Sequence, residues 1–371
     1  MSKIPAQRRD TMDRLIVRAL VLTALLIGAS APAHAGSEGR KGTDGALELR
    51  IPVGARGTAL GGAVVGDASG VEAIYWNPAG LASLQHTEAM FTHTAFFAEQ
   101  KLNYAAIASN LGAFGVLGFN AKVLSVGDVI VTTEDAPEGT GEIAQPTFTV
   151  LGLSWAKQFT DRVMFGVTAN YVNERIITQS ASGVAFDFGV QYLTGWNGLK
   201  VGMVMKNFGP SMAFSGPGSE ISVLPPGSDP SAVPRIFNSE SASFEMPSFF
   251  SLAASADVFS SPQYRLTALG SFQNNNFEGD ELRGGLEWGY RDLFALRGSY
   301  FGAFNNRVDL TTGDETVKFR GGDDLYTGVA LGAGARIRTG DTARLGVDLT
   351  WRPVRQGLFD DIFDLGVRLG F

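Results

Sequence analysis

From Glu88 to Phe371 short segments alternate apolar residues with small or polar ones, and a period of two is the pattern of β-strands rather than helices. The clearest is Gly183 to Tyr192, where Val184, Phe186, Phe188, Val190 and Tyr192 make one apolar face against Gly183, Ala185, Asp187, Gly189 and Gln191. The rhythm returns at Glu281 to Tyr290, Leu325 to Ile337 and Arg344 to Trp351. About fourteen such segments can be placed, near 88–96, 101–109, 112–124, 147–158, 163–174, 183–193, 199–207, 249–258, 264–273, 281–290, 293–301, 325–337, 344–351 and 361–371. Every second link is brief, while the intervening ones include Ser125 to Pro146, Phe208 to Ser248 and Gly302 to Asp324. Strict short and long alternation with an even strand number fits a transmembrane antiparallel β-barrel. A two-sheet sandwich also alternates, but it has no reason to sort its links this way.

Export is written at the other end of the chain. Lys3, Arg8, Arg9, Arg14 and Arg18 precede the apolar run Ala19 to Ala29, and Ala33-His34-Ala35 supplies a small-x-small cleavage pattern. The run is short for a helix that spans a bilayer, so residues 1–35 are expected to be a signal peptide cleaved after Ala35 rather than an anchor. Its charge of +3 takes the chain from −7 to −10, an acidic balance that argues against nucleic acid as a partner. There is no cysteine, and a mean hydropathy of +0.07 neither requires nor excludes a barrel, because the two strand faces average out.

The residues ahead of the barrel do not alternate. Residues 36–86 are expected to form an N-terminal plug of short helices held inside a barrel of residues 87–371. Residues 67–69 and 71–74 suggest one short helix, and Asn77 before Pro78 reads as an N-cap with proline at the first helical position, where its missing N–H costs nothing. Gly54, Gly57, Gly61 and Gly62 lack the spacings of phosphate or dinucleotide loops, so close packing of a thin backbone against the wall is the expectation. The link Phe208 to Ser248, rich in Pro, Ser and Gly, is expected to be irregular.

Chemistry is sparse. Only His86 and His93 remain beyond the signal, neither with a partner at a telling distance in sequence, so no catalytic residue, metal ligand or cofactor site is assigned and the chain is expected not to be an enzyme. Candidate lumen charges are Asp187, Glu287, Arg297, Arg336 and Asp348. A three-residue turn after Tyr290 would set Glu287 opposite Arg297, and a similar register would set Arg336 opposite Asp348. Such pairs would anchor a plug or line a channel; equally, they could be the solvated side of strands.

The last segment puts Phe363, Leu365, Val367, Leu369 and Phe371 on one face and ends on an aromatic. It resembles the closing strand of bacterial outer-membrane proteins, in which the terminal Phe is an assembly signal read by the barrel assembly machinery. At Ala73 to Leu84 (AIYWNPAGLASL), with GARGTALGGAVVGDAS before it, the chain resembles the PorV/PorQ family of outer-membrane proteins, themselves similar to FadL-type transporters. Pro137 to Glu142, Ala181 to Tyr192 and Asn207 to Gly216 extend the likeness. The resemblance implies a fourteen-stranded barrel in the outer-membrane lipid, with Asn77, Pro78, Ala79 and Gly80 as a shared plug motif beside Gly61 and Gly62. PorV-like members belong to the type IX secretion system and hand secreted cargo to surface-attachment machinery; FadL-like members pass apolar molecules through a gated barrel. Partner binding in protein secretion is therefore the first functional expectation, with hydrophobic transport as the alternative.

Overall fold

Alternation forces each strand to show one face to each side of the sheet, and closing the sheet turns those faces into an inside and an outside. The computed structural model describes residues 40–371 except 41, 97, 99, 197, 225, 228, 230–232, 240, 304–307, 313–314, 320–327, 340–342 and 355–359. The expected signal peptide and cleavage site therefore lie outside the described residues.

The first strands are β1 (Glu88–Ala95), β2 (Lys101–Asn110) and β3 (Val116–Ser125). The first long link carries the small hairpin β4 (Val129–Ile130) and β5 (Ile143–Ala144). The wall continues through β6 (Thr147–Gln158), β7 (Val163–Ile176), β8 (Gln179–Leu193) and β9 (Lys200–Phe208). After the hairpin β10 (Glu220–Val223) and β11 (Arg235–Asn238) come β12 (Phe249–Ser260), β13 (Tyr264–Asn275), β14 (Glu281–Tyr290) and β15 (Phe294–Ala303). The third hairpin, β16 (Val308–Thr312) and β17 (Glu315–Phe319), precedes β18 (Val329–Thr339), β19 (Ala343–Arg352) and β20 (Ile362–Gly370).

Leaving the three hairpins aside, fourteen strands form one closed antiparallel barrel, and β1 pairs with β20 from Glu88↔Gly370 to Ala95↔Phe363 to seal it. No sheet edge is left along the seam, which is what a β-structure in lipid needs. Val184, Phe186 and Phe188 face outward at 38–39% exposure, while Ala185, Asp187 and Gln191 face inward and are buried. Leu153, Leu286, Leu349 and Phe363 extend the apolar exterior around the wall. Among the described residues no helix is long and apolar enough to cross a membrane. A closed cylinder with an apolar outside is an outer-membrane barrel in its physics.

Two local expectations need correction. The third segment does not begin at residue 112: Gly112–Phe114 is a 3₁₀ turn, and the strand starts at Val116. Gly112 (φ 64°) and Gly115 (φ 107°) adopt backbone angles no strand uses, and a methyl on Gly115 would lie 2.4 Å from the Ala156 carbonyl. Nor is the link after Phe208 wholly irregular. Besides β10 and β11, Met212 bridges to Phe244, and Met212 and Met246 are buried with Ala46 and Leu49 beneath it. The apolar residues at both ends of that link find the plug to pack on.

Inside the cylinder runs a chain of short elements: a 3₁₀ turn at Leu47–Leu49, a helix at Ala55–Ala59, 3₁₀ turns at Ala63–Gly66 and Gly70–Glu72, a helix at Ala73–Trp76 and a 3₁₀ helix at Pro78–Ser83. None could stand alone at that length. They hold because Val53, Ala59, Leu60, Ala63, Val71, Ala73, Ala79 and Leu81 are fully buried against the wall and one another.

Candidate functional site

The plug meets two unlike walls. On one side, Met90 of β1, Leu102, Ala106 and Ala108 of β2 and Val116 and Leu124 of β3 join Ile74, Leu81, Leu84 and Val71 of the plug in one apolar cluster. On the other, strands β14 to β20 turn charged residues inward. Arg56 donates from Nε to Glu287 Oε2 (2.9 Å) and from a terminal nitrogen to Asp67 Oδ2 (2.6 Å). Glu287 also accepts from Arg297 Nε at 2.7 Å, and Arg297 donates on to Asp348 Oδ1 at 2.6 Å. Arg368 of β20 completes the set by donating to Glu72 Oε2 at 2.9 Å, while Glu72 Oε1 accepts from the Gly57 N–H at 2.8 Å.

Register decides which charges meet. Glu287 lies directly opposite Arg297 in the β14–β15 pair, across a turn that leaves three residues between Tyr290 and Phe294. Arg336 does not face Asp348. β18 runs on to Thr339, so Arg336 pairs with Gly346 and Asp348 with Gly334. That shift has a use: a methyl at Gly334 would sit 2.1 Å from Asp348 Oδ1 and 2.8 Å from Arg297, so the bare backbone there makes room for the Arg297–Asp348 bridge. Burial alone would push the Asp67 carboxyl up, but the Arg56 guanidinium and the Lys200 ammonium outweigh it and hold it below the usual carboxylate range.

Asn77 is fully buried and ties the plug together. Its Nδ2 donates to the Val65 carbonyl at 2.8 Å and to Val190 of β8 at 3.2 Å, and its Oδ1 accepts from Ala79 N at 3.2 Å as the cap of the Pro78–Ser83 turn. Pro78 and Ala79 lie flat on wall glycines: a methyl at Gly166 would be 2.3 Å from the Pro78 carbonyl carbon, and one at Gly189 would be 2.0 Å from Asn77 Oδ1. A methyl at Gly80 would likewise lie 2.0 Å from the Ala68 carbonyl oxygen. Gly61 and Gly62 adopt positive φ (61° and 78°), next to Ser299 and Arg283 respectively. The terminal Phe371 donates its N–H to Thr87 O and accepts from Thr87 N, beside the seam.

Sequence reasoning missed a polar corner between the two walls. Here Leu49, Ile74 and Tyr75 of the plug meet Tyr104, Asn120, Lys122, Asp187 and Lys206 around a cavity of about 20 Å³. Lys122 Nζ donates to Ile51 O at 2.6 Å, and Lys206 Nζ donates to Tyr75 O at 2.5 Å while lying 3.6 Å from the centre of the Tyr75 ring. Asp187 accepts from Asn170 Nδ2 at 3.1 Å and from the Asn207 N–H at 2.8 Å. Asn207 has φ 59° where β9 carries one extra residue against β8, so a bulge in the wall aims that N–H inward. The period-two pattern flagged Asp187 as inward, but nothing local to the sequence marks the strands that would join it.

Of the two histidines, His93 makes a 2.8 Å contact from Nδ1 to Asn103 Oδ1 on the lipid-facing parity of β1, away from the lumen. Among the described residues no group of three or more His, Asp or Glu is arranged to hold a metal.

These features define a plugged outer-membrane barrel whose lumen is filled by its own N-terminal segment. No family model matches the chain, and no curated protein sequence matches it. Solved structures do. The CymD monoaromatic hydrocarbon channel superposes with a TM-score of 0.52 at 12% identity, over 86% of this chain and 97% of that one. A TodX deltaS2S3 mutant, also a monoaromatic hydrocarbon channel, gives 0.51 at 11% identity over 86% and 98%. The P. putida toluene transporter TodX gives 0.50 at 12% identity over the same shares. At such identities the likeness is one of fold alone.

Proposed function

We propose that the protein is a gated outer-membrane channel for small hydrophobic molecules, opened by displacement of the N-terminal plug. The observation that carries this reading is the two-sided lumen: the plug covers a continuous apolar strip on β1, β2 and β3, a surface suited to apolar cargo once uncovered, while ion pairs hold its other side. That the structural neighbours named above are described as hydrocarbon channels supports the reading. The chain has no cysteine, so a tether can be introduced cleanly. A methyl at Gly366 would lie 3.3 Å from Ala55 Cβ, close to the span of a disulfide. In vesicles with a lipopolysaccharide outer leaflet, the protein should admit toluene, and oxidised Ala55→Cys/Gly366→Cys should lose that uptake until reductant is added. Absence of any uptake by the unmodified protein would end the transport reading; uptake indifferent to the tether would end the gating one.

A second reading rests on the long links. Ile130, Ile143, Ile236 and Phe237 expose 51–68% of their surface on the hairpins β4–β5 and β10–β11. Apolar side chains at that end suit a protein partner, as the PorV/PorQ resemblance implies, with cargo and type IX secretion components as the candidates. Affinity capture from outer membranes tests it: recovery of secretion components lost on Ile236→Ser/Phe237→Ser supports it, and a channel purified without them does not.

A further inference from the structure

The polar corner of the lumen has two groups with nothing to bond. Tyr104 is 1% exposed and Asn120 5%, and neither the Tyr104 hydroxyl nor Asn120 Oδ1 has a hydrogen-bond partner among the described residues. Both line the same cavity, whose volume of about 20 Å³ admits a single oxygen-sized group. A buried polar atom left unpaired costs about 1–3 kcal/mol, so two such residues lining one cavity favour a guest that hydrogen-bonds to both.

The donor and acceptor pattern narrows that occupant. Asn120 Oδ1 accepts, so it asks for an O–H and disfavours a carboxylate. The Tyr104 hydroxyl can donate to the same oxygen. The two ammonium groups nearby each donate once to the plug backbone, Lys122 to Ile51 O and Lys206 to Tyr75 O, and Asp187 offsets part of their charge. Val150 supplies apolar surface on the wall beside the polar atoms, so a carbon skeleton attached to the oxygen would lie against it in the space that Leu49 and Ile74 leave when they shift with the plug. Gly152 keeps the polar side open, since a methyl there would sit 2.1 Å from Asn120 Oδ1.

We propose that Tyr104 and Asn120 form a subsite that selects hydroxyl-bearing apolar molecules, phenols and alcohols, over hydrocarbons of the same size. This rests on the transport reading and sharpens it: the channel sorts cargo by one oxygen. The test uses the full-length protein in lipid nanodiscs, with blank nanodiscs subtracted, titrated by calorimetry with p-cresol, toluene and benzoate, which share a carbon count. p-Cresol should bind about tenfold more tightly than toluene, the worth of one or two buried hydrogen bonds, and benzoate more weakly than p-cresol. Tyr104→Phe removes only an unpaired hydroxyl and should fold; in it, and in Asn120→Leu, the p-cresol to toluene ratio should fall to about threefold or less. Equal binding of p-cresol and toluene, tighter binding of benzoate, or an unchanged ratio in both variants would each overturn the subsite, and the first two need no variant at all. If toluene enters vesicles but shows no disadvantage against p-cresol, the subsite alone fails. If neither molecule enters, the transport reading falls and the subsite with it.

Discussion

One carboxamide holds three pieces of backbone in place: Asn77 reaches the Ala63–Gly66 turn, strand β8 and its own helical cap at once. The wall yields to it by having no side chain where it lands. Gly189→Ala should therefore unseat the plug by about 1–3 kcal/mol, the range for overpacking, whereas Gly284→Ala, with open space around it, should stay within about 0.5 kcal/mol. Urea titration of the two variants, following release of the plug, separates them. Glu48 works differently. Both its oxygens are buried without a donor, and the side chain it meets is another carboxyl, Glu174, so the two can hydrogen-bond only with a proton between them. Burial first, then the charge of Glu174, raises Glu48 from 4.5 to about 8. The docked plug thus keeps a proton that a released plug gives up. Docking is strongest below pH 4.5, weakens as pH rises through the window from 4.5 to about 8, and levels off above it, by up to about tenfold per pH unit in the docked to released ratio. A nitroxide on Leu47→Cys, an exposed neighbour, should gain mobility across that window, and Glu48→Gln should flatten the response.

The elements of the plug are too short to persist unaided, so what holds each one is its contact with the wall. Arg56 anchors the Ala55–Ala59 helix to β14 through Glu287 and to the plug's own Asp67, all three carrying little exposed surface. Removing one member of such a buried set leaves uncompensated charge; Arg56→Met should weaken docking by about 3–5 kcal/mol, nearer the low figure because Arg297 and Lys200 remain as partners. Lys200→Met, whose side chain is 40% exposed, should cost no more than about 1 kcal/mol. Limited proteolysis of the plug, compared between the two, reads the difference; equal sensitivity would mean that the ion pairs do not hold the plug.

For the whole molecule the governing fact is closure. Strands β1 and β20 meet along eight registered pairs, so the exterior is apolar side chain and no free backbone edge faces lipid. Phe188→Arg on that exterior should destabilise the barrel by about 2–4 kcal/mol if Phe188 sits near the bilayer midplane. Reversible unfolding in lipid vesicles measures it, and a neutral result would place that face away from hydrocarbon. The same closure explains why the lumen can hold a plug of marginal helices: the wall is rigid, and the plug fills it as a side-chain core would.

Much of this was legible in the chain before folding. The period of two, the turn residues and the short and long links gave all fourteen strands of the wall, and Asn77-Pro78 gave the cap of the last plug turn, because both are properties of neighbouring residues. Which charges would meet was not. Arg336 was set opposite Asp348 by a turn assumed one residue later than the true one, and a change that small moves every cross-strand pair by two. Arg56 with Glu287, Glu48 with Glu174, and Tyr104 with Asn120 lie on segments that the sequence leaves unrelated. Local pattern decides strand and turn because those energies are local. Partners across a lumen are chosen only when the sheet closes at one register and the plug docks at one depth, and that choice belongs to the tertiary structure.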